Sequence, residues 1–434
     1  MQMDLIPVLP DDIGLQCLIR VPYQDFSSVA SVCKNWNRVI ELPEFWRHRK
    51  ASGLTRKVVV TAQSRVNPTR DMGLKKYAPV YRLMLCEPET GYRAELPPVP
   101  GYSDGLPLFC QLVGVGLNLV VMGGFNPVTW EASNDMFIYN FVSTTWRRGV
   151  SMSGCQRFFF SCTSDSIRTI FVAGGHDREK CALKSAMMYD VPEDKWVMLP
   201  DMARERDESK GVFSHGKFHV IGGYDTGRQG GFQTGAESFD VATWQWGRVQ
   251  ADFLNSAVCP RNCVDDGDGK FFMSRGGYVE ALQGSTWQVV AKLPTNVRHI
   301  SYMIAWHGKV LVIGPEKYGI VYKSFLLDLK TSKWESVEED VFLGHVQSGC
   351  CLEFLYMDTG TQMDLIPGLP NDIGLECLIC SWNRVIELTE FWRLRRAYLT
   401  QKIIVMAQSL VDPTRAIGLD KYAYSAYQLT LFEL

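Results

Sequence analysis

The chain is 434 residues long, which is enough to bury a large core and to form more than one domain. Its 45 basic and 47 acidic residues leave a net charge of -2, so the composition provides no basic surface for nucleic acid or an anionic membrane. The amino terminus has acidic residues and prolines where a secretory signal would have basic residues and an apolar run. Its 13 cysteines are scattered along the chain, which predicts reduced thiols in a cytoplasmic or nuclear protein.

The amino-terminal residues have the spacing of short amphipathic helices. Asp11 is predicted to cap a first helix after Pro10, and apolar residues then recur on a helical spacing. A second helix is predicted from about Asp25 to Ile40, and Pro43 is predicted to open a short third one. Such a small core would gain from docking onto a partner, while the alternative is a helical cap on the domain that follows.

A glycine pair, followed by an aromatic residue seven positions before a tryptophan, recurs in the middle of the chain. The aromatic residues are Tyr139, Tyr189 and Phe239, and the tryptophans are Trp146, Trp196 and Trp246. A period of 50 residues, with strand-like runs and turns in each unit, predicts stacked β-sheet blades with the tryptophans buried between them. The interval continues at Leu327 and Trp334, whereas Trp287 marks a blade that we expect to have lost most of its third strand.

Five blades lie within the repeats, and a sixth is predicted to combine segments from both ends of the repeat region. Lys57–Gln63, Val80–Cys86 and Tyr92–Leu96 would join a last strand at Gly349–Leu355. Such closure removes free sheet edges.

The end of the chain repeats its beginning. Gln362 onward matches Gln2 onward, but Trp382 matches Trp36 at an offset shorter by 14 residues, so most of the second helix is missing from the copy. The strand-like segments Lys402–Ala407 and Gln428–Phe432 follow, with no blade to complete. The origin of this copy is either a tandem duplication in the gene or the joining of two gene models.

Residue patterns for catalysis are missing from the sequence. It has no P-loop, GxSxG or HExxH motif. His215 and His219 would be about 13 Å apart on a strand, and His215 and His307 occupy the same hairpin-turn position in different repeats. Cys259 and Cys263 have no second ligand pair nearby. We therefore expect no cofactor, no metal site and no intrinsic enzymatic activity.

Literal residues at the amino end resemble an F-box, the motif that docks on the Skp-type adaptor of a cullin–RING ubiquitin ligase. The matching residues are Leu9-Pro10-x-Asp12-Ile13, Leu18-Ile19-x-Val21-Pro22, Val32-Cys33-x-x-Trp36 and Phe45-Trp46. The repeats over residues 107–341 resemble kelch repeats, and the combination is similar to a large plant family. The stretches ASVCKNWNRV, GLPLFC, VAGGHDREKCALKSAM and LPDMARERDE look like a subfamily associated with turnover of phenylalanine ammonia-lyase and of cytokinin-response transcription factors.

The resemblance implies a mainly β fold, in which a three-helix F-box at residues 3–50 precedes a kelch β-propeller of about six blades at 57–357. Residues 362–434 would be an incomplete duplicate of the F-box and first propeller strands. The implied function is that of an SCF substrate receptor, a non-catalytic subunit that binds the Skp-type adaptor and a protein target. By resemblance, the target is phenylalanine ammonia-lyase or a response regulator. The alternatives are a kelch scaffold that acts without degradation and a propeller enzyme.

Two sets of site residues follow from this interpretation. The predicted adaptor-binding residues are Leu9, Pro10, Asp12, Ile13, Leu18, Ile19, Val32, Cys33 and Trp36. The predicted target-binding residues lie in propeller loops, where aromatic and arginine side chains dominate binding energy: Trp130, Arg157, His176, Arg204, Arg206 and Arg228. For Arg204 and Arg206, pairing with the neighbouring acidic residues is the alternative.

Overall fold

The structure, a computed structural model, divides into two compact units, Met1–Cys377 and Leu378–Leu434. It describes residues 5–6, 10–21, 26–42, 44–45, 48–49, 52, 56–64, 79–154, 156–267, 269–317, 321–337, 344–354, 403–409 and 427–433. Among these residues, no helix has both the length and the apolar character needed to cross a membrane. The duplicated F-box segment, which begins at Gln362, lies outside the described residues.

Among the described residues of the amino end, three short helices have defined bounds: α1 (Asp11–Leu18), α2 (Phe26–Val32) and α3 (Lys34–Glu41). Glu44, Phe45, His48 and Arg49 are also helical. The prediction of one continuous second helix from about Asp25 to Ile40 is wrong. Cys33 interrupts it, because its backbone is extended, with φ -160° and ψ 162°. Pro43 and Trp46, which were expected in the third helix, lie outside the described residues.

Twenty-four strands of the first unit form six four-stranded antiparallel sheets in the described part of the chain. The first three strands are β1 (Arg56–Ser64), β2 (Tyr81–Cys86) and β3 (Arg93–Glu95). Blade 1 contains β4 (Gln111–Val115), β5 (Asn118–Met122), β6 (Met136–Asn140) and β7 (Thr145–Gly149). Blade 2 contains β8 (Ser161–Ser164), β9 (Thr169–Ala173), β10 (Ala186–Asp190) and β11 (Lys195–Leu199). Blade 3 contains β12 (Lys210–Ser214), β13 (Lys217–Ile221), β14 (Ala236–Asp240) and β15 (Gln245–Trp246). Blade 4 contains β16 (Cys263–Asp265), β17 (Phe271–Arg275), β18 (Tyr278–Gln283) and β19 (Thr286–Lys292). Blade 5 contains β20 (Tyr302–Trp306), β21 (Lys309–Pro315), β22 (Tyr322–Asp328) and β23 (Trp334–Ser336).

The last strand of the unit, β24 (Val346–Phe354), completes the first sheet, which we call the closing blade. Its order is β24-β1-β2-β3, and β24 pairs with β1 from Arg56↔Phe354 to Gln63↔Val346. The innermost strand β24 lies beside β4 of blade 1 and β20 of blade 5. The prediction of a composite closing blade is thereby confirmed, and the ring has six blades.

In the described residues, the core of the propeller contains six apolar clusters, each between two neighbouring blades. One cluster joins Val58 and Leu352 of the closing blade to Leu112 of blade 1. Another joins Val59 of the closing blade to Leu311 of blade 5. The innermost strands approach so closely that a Cβ on Gly114 of β4 would lie 2.6 Å from the Cys351 carbonyl oxygen.

The repeat tryptophans connect neighbouring blades through hydrogen bonds. Each indole N–H donates to a backbone carbonyl at the end of the preceding blade's outermost strand or in the connection that follows it. The pairs are Trp146 with Pro97, Trp196 with Val150, Trp246 with Pro200, Trp287 with Phe253 and Trp334 with Lys292, at 2.7 to 3.1 Å. The tryptophans pack between blades as expected, because Trp146, Trp196 and Trp246 lie against the apolar clusters that join neighbouring blades. They lie on outer strands and are only partly buried, whereas Tyr139, Tyr189 and Phe239 opposite them are buried.

The glycine pairs and hairpin turns have the backbone conformations expected from the sequence. Gly174 and Gly175 have φ of +66° and +80°, and Cβ atoms there would lie 2.2 and 2.3 Å from carbonyl oxygens of neighbouring loops. His215 and His307 each have φ of 48° at a hairpin turn, which confirms their structural position in the repeat.

Blade 4 corrects one prediction. Its third strand, β18, is intact over six residues. The loop between β17 and β18 is missing instead, because Gly276-Gly277 closes a two-residue hairpin in which Arg275 pairs with Tyr278.

The second unit contains one described hairpin, formed by β25 (Ile403–Ser409) and β26 (Tyr427–Glu433). Ser409 pairs with Tyr427 and Ile404 with Phe432. The original pair β1 and β2 has the same register, with Ser64 opposite Tyr81 and Val59 opposite Cys86. The copy therefore retains the pairing of the middle two strands of the closing blade.

Loss of one inter-blade hydrogen bond should destabilise the propeller measurably. We expect Trp196→Phe, which keeps a ring but removes the indole N–H, to lower the free energy of unfolding by about 0.5–1.5 kcal/mol. Trp196→Ala also removes the ring and should cost roughly 2–3 kcal/mol, below the ~3–5 kcal/mol of a fully buried tryptophan. Denaturant unfolding of the full chain measures both values. Trp244→Phe is the control, because its indole makes no hydrogen bond to the described residues. An effect of Trp244→Phe equal to that of Trp196→Phe would contradict this role.

Two truncations should separate the closing blade from the carboxyl-terminal copy. Removal of residues 362–434 is expected to leave the melting temperature unchanged, because the closing blade already has its four strands. A chain ending at residue 344 lacks β24 and should melt at a much lower temperature, since an innermost strand and the ring closure are lost. A drop in melting temperature on removal of 362–434 alone would show that the copy contributes to the propeller.

Candidate functional site: an amino-terminal docking motif and the long-loop face of the propeller

The start of α1 orders the segment before it. Pro10 occupies the N-cap position, and Asp11 is the first helical residue, so the prediction that Asp11 is the cap is wrong. The Asp11 carboxylate accepts a hydrogen bond from the Leu5 backbone N–H at 3.2 Å. Asp11 and Asp12 both lie in the first turn, where negative charge stabilises a helix.

The break between α2 and α3 is capped by a cysteine. The Cys33 sulfur accepts a hydrogen bond from the Trp36 backbone N–H at 3.4 Å. The Trp36 indole N–H donates to the Leu5 carbonyl, so α3 is tied to the segment before α1. Val32, the last residue of α2, is 58% exposed.

The predicted adaptor-binding residues differ in their exposure. Pro10, Asp12, Val32 and Cys33 are exposed, Ile13 and Trp36 are half-buried, and Leu9 lies outside the described residues. Leu18 and Ile19 are buried in the helical core. The set was predicted to form or support the docking face, and buried Leu18 and Ile19 can only support it, by packing the helices together.

Sequence reasoning missed a buried arginine in this core. Arg49 is fully buried, and its guanidinium lies 5.1 Å from the ring centre of Phe26 and 5.9 Å from that of Phe45. One N–H group donates to the Val21 carbonyl at 2.7 Å. Burial lowers the pKa of Arg49 to about 9. Only the packing of the helices shows that Arg49 is part of the core, because the sequence of a helical motif suggests that an arginine near its end is exposed to solvent.

The loops at one end of the blades form what we call the long-loop face. Neighbouring strands are antiparallel, so the loop between the second and third strands and the connection to the next blade lie at the same end of each sheet. Trp130, His176 and Arg228 lie in loops of the first kind, and Arg204 lies in a connection between blades. The topology therefore brings these four predicted residues to one face.

Arg157 and Arg206 are buried, so the prediction that their side chains contact a target is wrong. Each lies in the connection before a blade and donates to the carbonyls of that blade's glycine-pair loop. Arg157 donates to Gly174 at 2.6 Å and Ser185 at 3.0 Å, and Arg206 donates to Gly222 at 2.6 Å and Gly235 at 2.9 Å. These arginines stabilise the loops and do not recognise a partner directly.

Arg206 also forms a buried ion pair. Its Nε donates to Glu237 Oε1 at 3.0 Å, and both side chains are fully buried. Burial lowers the pKa of Arg206, and the Glu237 carboxylate opposes that shift. The partner is therefore 31 positions away in sequence rather than among the acidic neighbours. Arg204, in contrast, is exposed and forms no ion pair with the described residues.

Aromatic rings are in mutual contact across blades 1 and 2 on the long-loop face. Phe125 and Phe158 are stacked with their centres 4.8 Å apart, and Phe109 and Phe159 lie 5.1 Å apart. Phe109 also contacts Phe125, and His176 contacts Phe158 and Phe159 at 5.3 and 5.6 Å. We call these five residues the aromatic step.

Hydrogen bonds connect the aromatic step to blade 3. His176 Nδ1 lies 2.8 Å from Asp207 Oδ2, and the Tyr224 hydroxyl donates to Glu208 Oε1 at 3.0 Å. Asp207 and Tyr224 also form a backbone bridge with each other. The predicted residue His176 is thus part of an ordered network across three blades.

A cleft of about 610 Å³ opens in the same face at blade 3 and includes Arg204 and Arg228 in its lining. Two of its acidic residues are bonded to neutral side chains. Glu205 accepts from Thr226 at 3.0 Å, and Asp225 accepts from Gln233 at 2.9 Å. The cleft therefore presents two exposed guanidinium groups beside satisfied carboxylates. Trp130 is 58% exposed in the loop of blade 1.

Among the described residues, no cluster of three or more His, Cys, Asp or Glu side chains could hold a metal ion. His219 Nδ1 is 2.8 Å from the Ser238 hydroxyl, and burial lowers the pKa of this histidine. Burial raises the pKa of Cys263 to about 12, which disfavours the thiolate that a zinc ligand requires.

Comparison with known proteins identifies both parts of the chain. A family model for the F-box domain matches residues 6–48, and one for the kelch motif matches residues 108–153 and 168–203. Two Arabidopsis thaliana proteins, F-box/kelch-repeat protein At1g80440 and F-box/kelch-repeat protein At1g15670, are each 48% identical over 358 residues. The alignments cover 81% of this chain and 100% of each relative. The chain belongs to the F-box/kelch-repeat family. The F-box/kelch-repeat protein SKIP20 of the same plant is 32% identical over 296 residues, which cover 59% of this chain and 69% of the relative.

Sequence reasoning found the kelch loops but missed most of the aromatic step. Phe125 and Tyr224 occupy the same place as His176, directly after a glycine pair. Phe109, Phe159 and Glu208 each stand two residues before a blade's innermost strand. Aligning the repeats at these two positions would have selected all of them, because residues at equivalent positions of a propeller share a face.

Arg206 should matter for kelch stability and not for surface recognition. We expect Arg206→Ala to lower the free energy of unfolding by about 3–5 kcal/mol, because it leaves the Glu237 carboxylate buried without its partner. Arg204→Ala, at an exposed position two residues earlier, should change it by no more than about 0.5 kcal/mol. Denaturant unfolding of both variants provides the measurement. Equal stability of Arg206→Ala and wild type would refute this structural role.

Proposed function

We propose that this chain is the substrate-recognition subunit of an SCF-type cullin–RING ubiquitin ligase. The F-box binds the Skp-type adaptor, and the kelch propeller binds a protein target, which is then ubiquitinated and degraded by the proteasome. The observation that carries the proposal is the F-box match at residues 6–48, directly ahead of a closed kelch propeller, in a chain 48% identical to F-box/kelch-repeat proteins over their whole length.

The chain itself would perform no chemistry in this role. Binding both the adaptor and the target raises the effective concentration of the target near the ubiquitin-conjugating enzyme. The exposed residues Pro10, Asp12, Val32 and Cys33 are the proposed direct adaptor contacts, with Ile13 and Trp36 beside them. The proposed target contacts are Trp130, His176, Arg204 and Arg228, all on the long-loop face. The compartment we propose is the cytoplasm, the nucleus or both.

The first targets to test are phenylalanine ammonia-lyase and response regulators of the cytokinin pathway, because the sequence resembles a subfamily associated with their turnover. Target ubiquitination by the reconstituted ligase distinguishes a receptor from a scaffold that acts without degradation. A scaffold would bind its target without increasing ubiquitin transfer.

Adaptor binding should depend on the exposed end of α2. Val32→Asp replaces an apolar side chain that is 58% exposed with a charged one. We expect it to weaken binding of a Skp-type adaptor at least about tenfold, equivalent to ~1.4 kcal/mol of binding free energy, as measured by co-purification. Val289→Asp is the matched control, because Val289 is 60% exposed on β19, the outermost strand of blade 4. Unchanged adaptor binding by a folded Val32→Asp protein would count against the proposed docking surface.

A further inference from the structure

Three equivalent positions of the propeller have an unfavourable backbone conformation for the residues they carry. Phe109, Phe159 and Glu208 have φ of 61°, 48° and 49°, in the left-handed region that favours glycine. Each stands two residues before the innermost strand of blades 1, 2 and 3 respectively. The conformation therefore belongs to the repeat and not to one loop.

The fold imposes this conformation through the preceding residue. Leu108 pairs with Phe125, Phe158 with His176, and Asp207 with Tyr224, in each case joining the connection between blades to the residue after the glycine pair. The chain must then turn sharply to enter the innermost strand.

Glycine would be the least strained residue at these positions, yet two of them carry phenylalanine. A non-glycine residue in this region is strained by its Cβ atom. Phe109 is also 46% exposed, so its ring gains only part of the stabilisation that burial provides. Strain of this kind is tolerated where a side chain serves binding, and Phe109 and Phe159 hold their rings on the long-loop face beside the predicted target contact His176.

The aromatic step is ordered before any partner binds. The ring centres of Phe109 and Phe159 lie 5.1 Å apart. Phe109 also contacts Phe125, and the Phe125 ring stacks on Phe158. His176 contacts Phe159 and is fixed by Asp207. Side chains already fixed in place lose little entropy on binding, which favours their use as anchors.

A carboxylate occupies the next equivalent position. Glu208 accepts a hydrogen bond from the Tyr224 hydroxyl, and no Lys, Arg or His of the described residues lies within ion-pair distance of it. The neighbouring acid, Asp207, is already paired with His176. Glu208 is thus available to pair with a cation of a binding partner. The same cation would be stabilised further by the face of a neighbouring phenylalanine ring.

We infer that Phe109, Phe159 and Glu208 form a docking site for an extended segment of the target protein. An apolar or aromatic side chain of that segment packs on the two phenylalanine rings, and an adjacent Lys or Arg side chain pairs with Glu208. This inference rests on the proposed function in that the propeller binds a protein target, and it specifies the chemistry of the recognised segment.

The test uses a phage-displayed library of random 12-residue peptides panned on the purified full chain. The expected result is a consensus with a Lys or Arg next to an aromatic or large apolar residue. Affinity of the enriched peptides, measured by titration, should fall about tenfold or more for Phe109→Asn with Phe159→Asn, because loss of an anchor of this kind costs ~1.4 kcal/mol or more. Asparagine tolerates positive φ, so it removes the rings without changing the turn.

Two further variants assign the charge and control for exposure. Glu208→Gln should weaken the peptides containing Lys or Arg, and replacing that basic residue by Ala should abolish the difference between Glu208→Gln and wild type. Trp244→Asn is the matched control, with φ of 60° and 39% exposure in the turn between β14 and β15 at the opposite end of blade 3, and should bind like wild type. If the double variant fails to fold, Phe109→Asn alone tests the exposed ring.

The inference is overturned by enrichment of acidic peptides, by peptides that bind the Asn variants as tightly as wild type, or by the absence of any enriched sequence. Its failure is distinguishable from failure of the proposed function, because peptide binding needs no adaptor. Val32→Asp should bind the enriched peptides normally even though it loses the adaptor.

Discussion

Pairing of β24 with β1 is the interaction on which the rest of the propeller depends. Every apolar cluster of the core lies between two blades, so no blade buries its faces without a neighbour on each side. Without this pairing, the closing blade would lack its innermost strand. One apolar face of the first blade and one of the last blade in the row would then be exposed to water. Closure by β24 supplies both missing contacts, because this strand lies against β4 on one side and β20 on the other. The ring then fixes the positions of the loops on the long-loop face.

Hydrogen bonds from side chains to backbone carbonyls add to the apolar packing between blades. The indole N–H of each repeat tryptophan satisfies a carbonyl of the preceding blade, and Arg157 and Arg206 satisfy carbonyls of the glycine-pair loops. The Gly174 and Gly222 carbonyls lie at buried residues, and each would cost about 1–3 kcal/mol without a partner. These bonds therefore order the loops as well as stabilise the blades, which leaves exposed side chains such as Phe109 in defined positions. An ordered loop surface suits binding of a protein segment.

The repeat uses equivalent positions for different purposes in different blades. The position two residues before the innermost strand carries phenylalanine in blades 1 and 2 and glutamate in blade 3, although all three residues have a positive φ. Blade 4 has a two-residue hairpin where blades 1 to 3 have long loops. The face is consequently asymmetric, with the aromatic step and the Arg204–Arg228 cleft concentrated over blades 1 to 3. Such asymmetry allows a ring of similar blades to select one partner orientation.

The sequence by itself determined the architecture, because the 50-residue period, the glycine pairs and the interval from Tyr189 to Trp196 are all properties of local strands and turns. It also located the segments of the closing blade, since strand-like runs lie at both ends of the repeat region and closing the ring removes free sheet edges. Only the tertiary structure decided which repeat residues are exposed. Arg157 and Arg206 look like loop charges in the sequence but are buried under the loops that they bind, and Phe109 looks like a core residue but is 46% exposed. The break at Cys33 was likewise invisible to periodicity, because apolar spacing continues across it. Burial at these positions depends on the neighbouring blade or helix, which is distant in sequence, and local residue patterns contain no information about that contact.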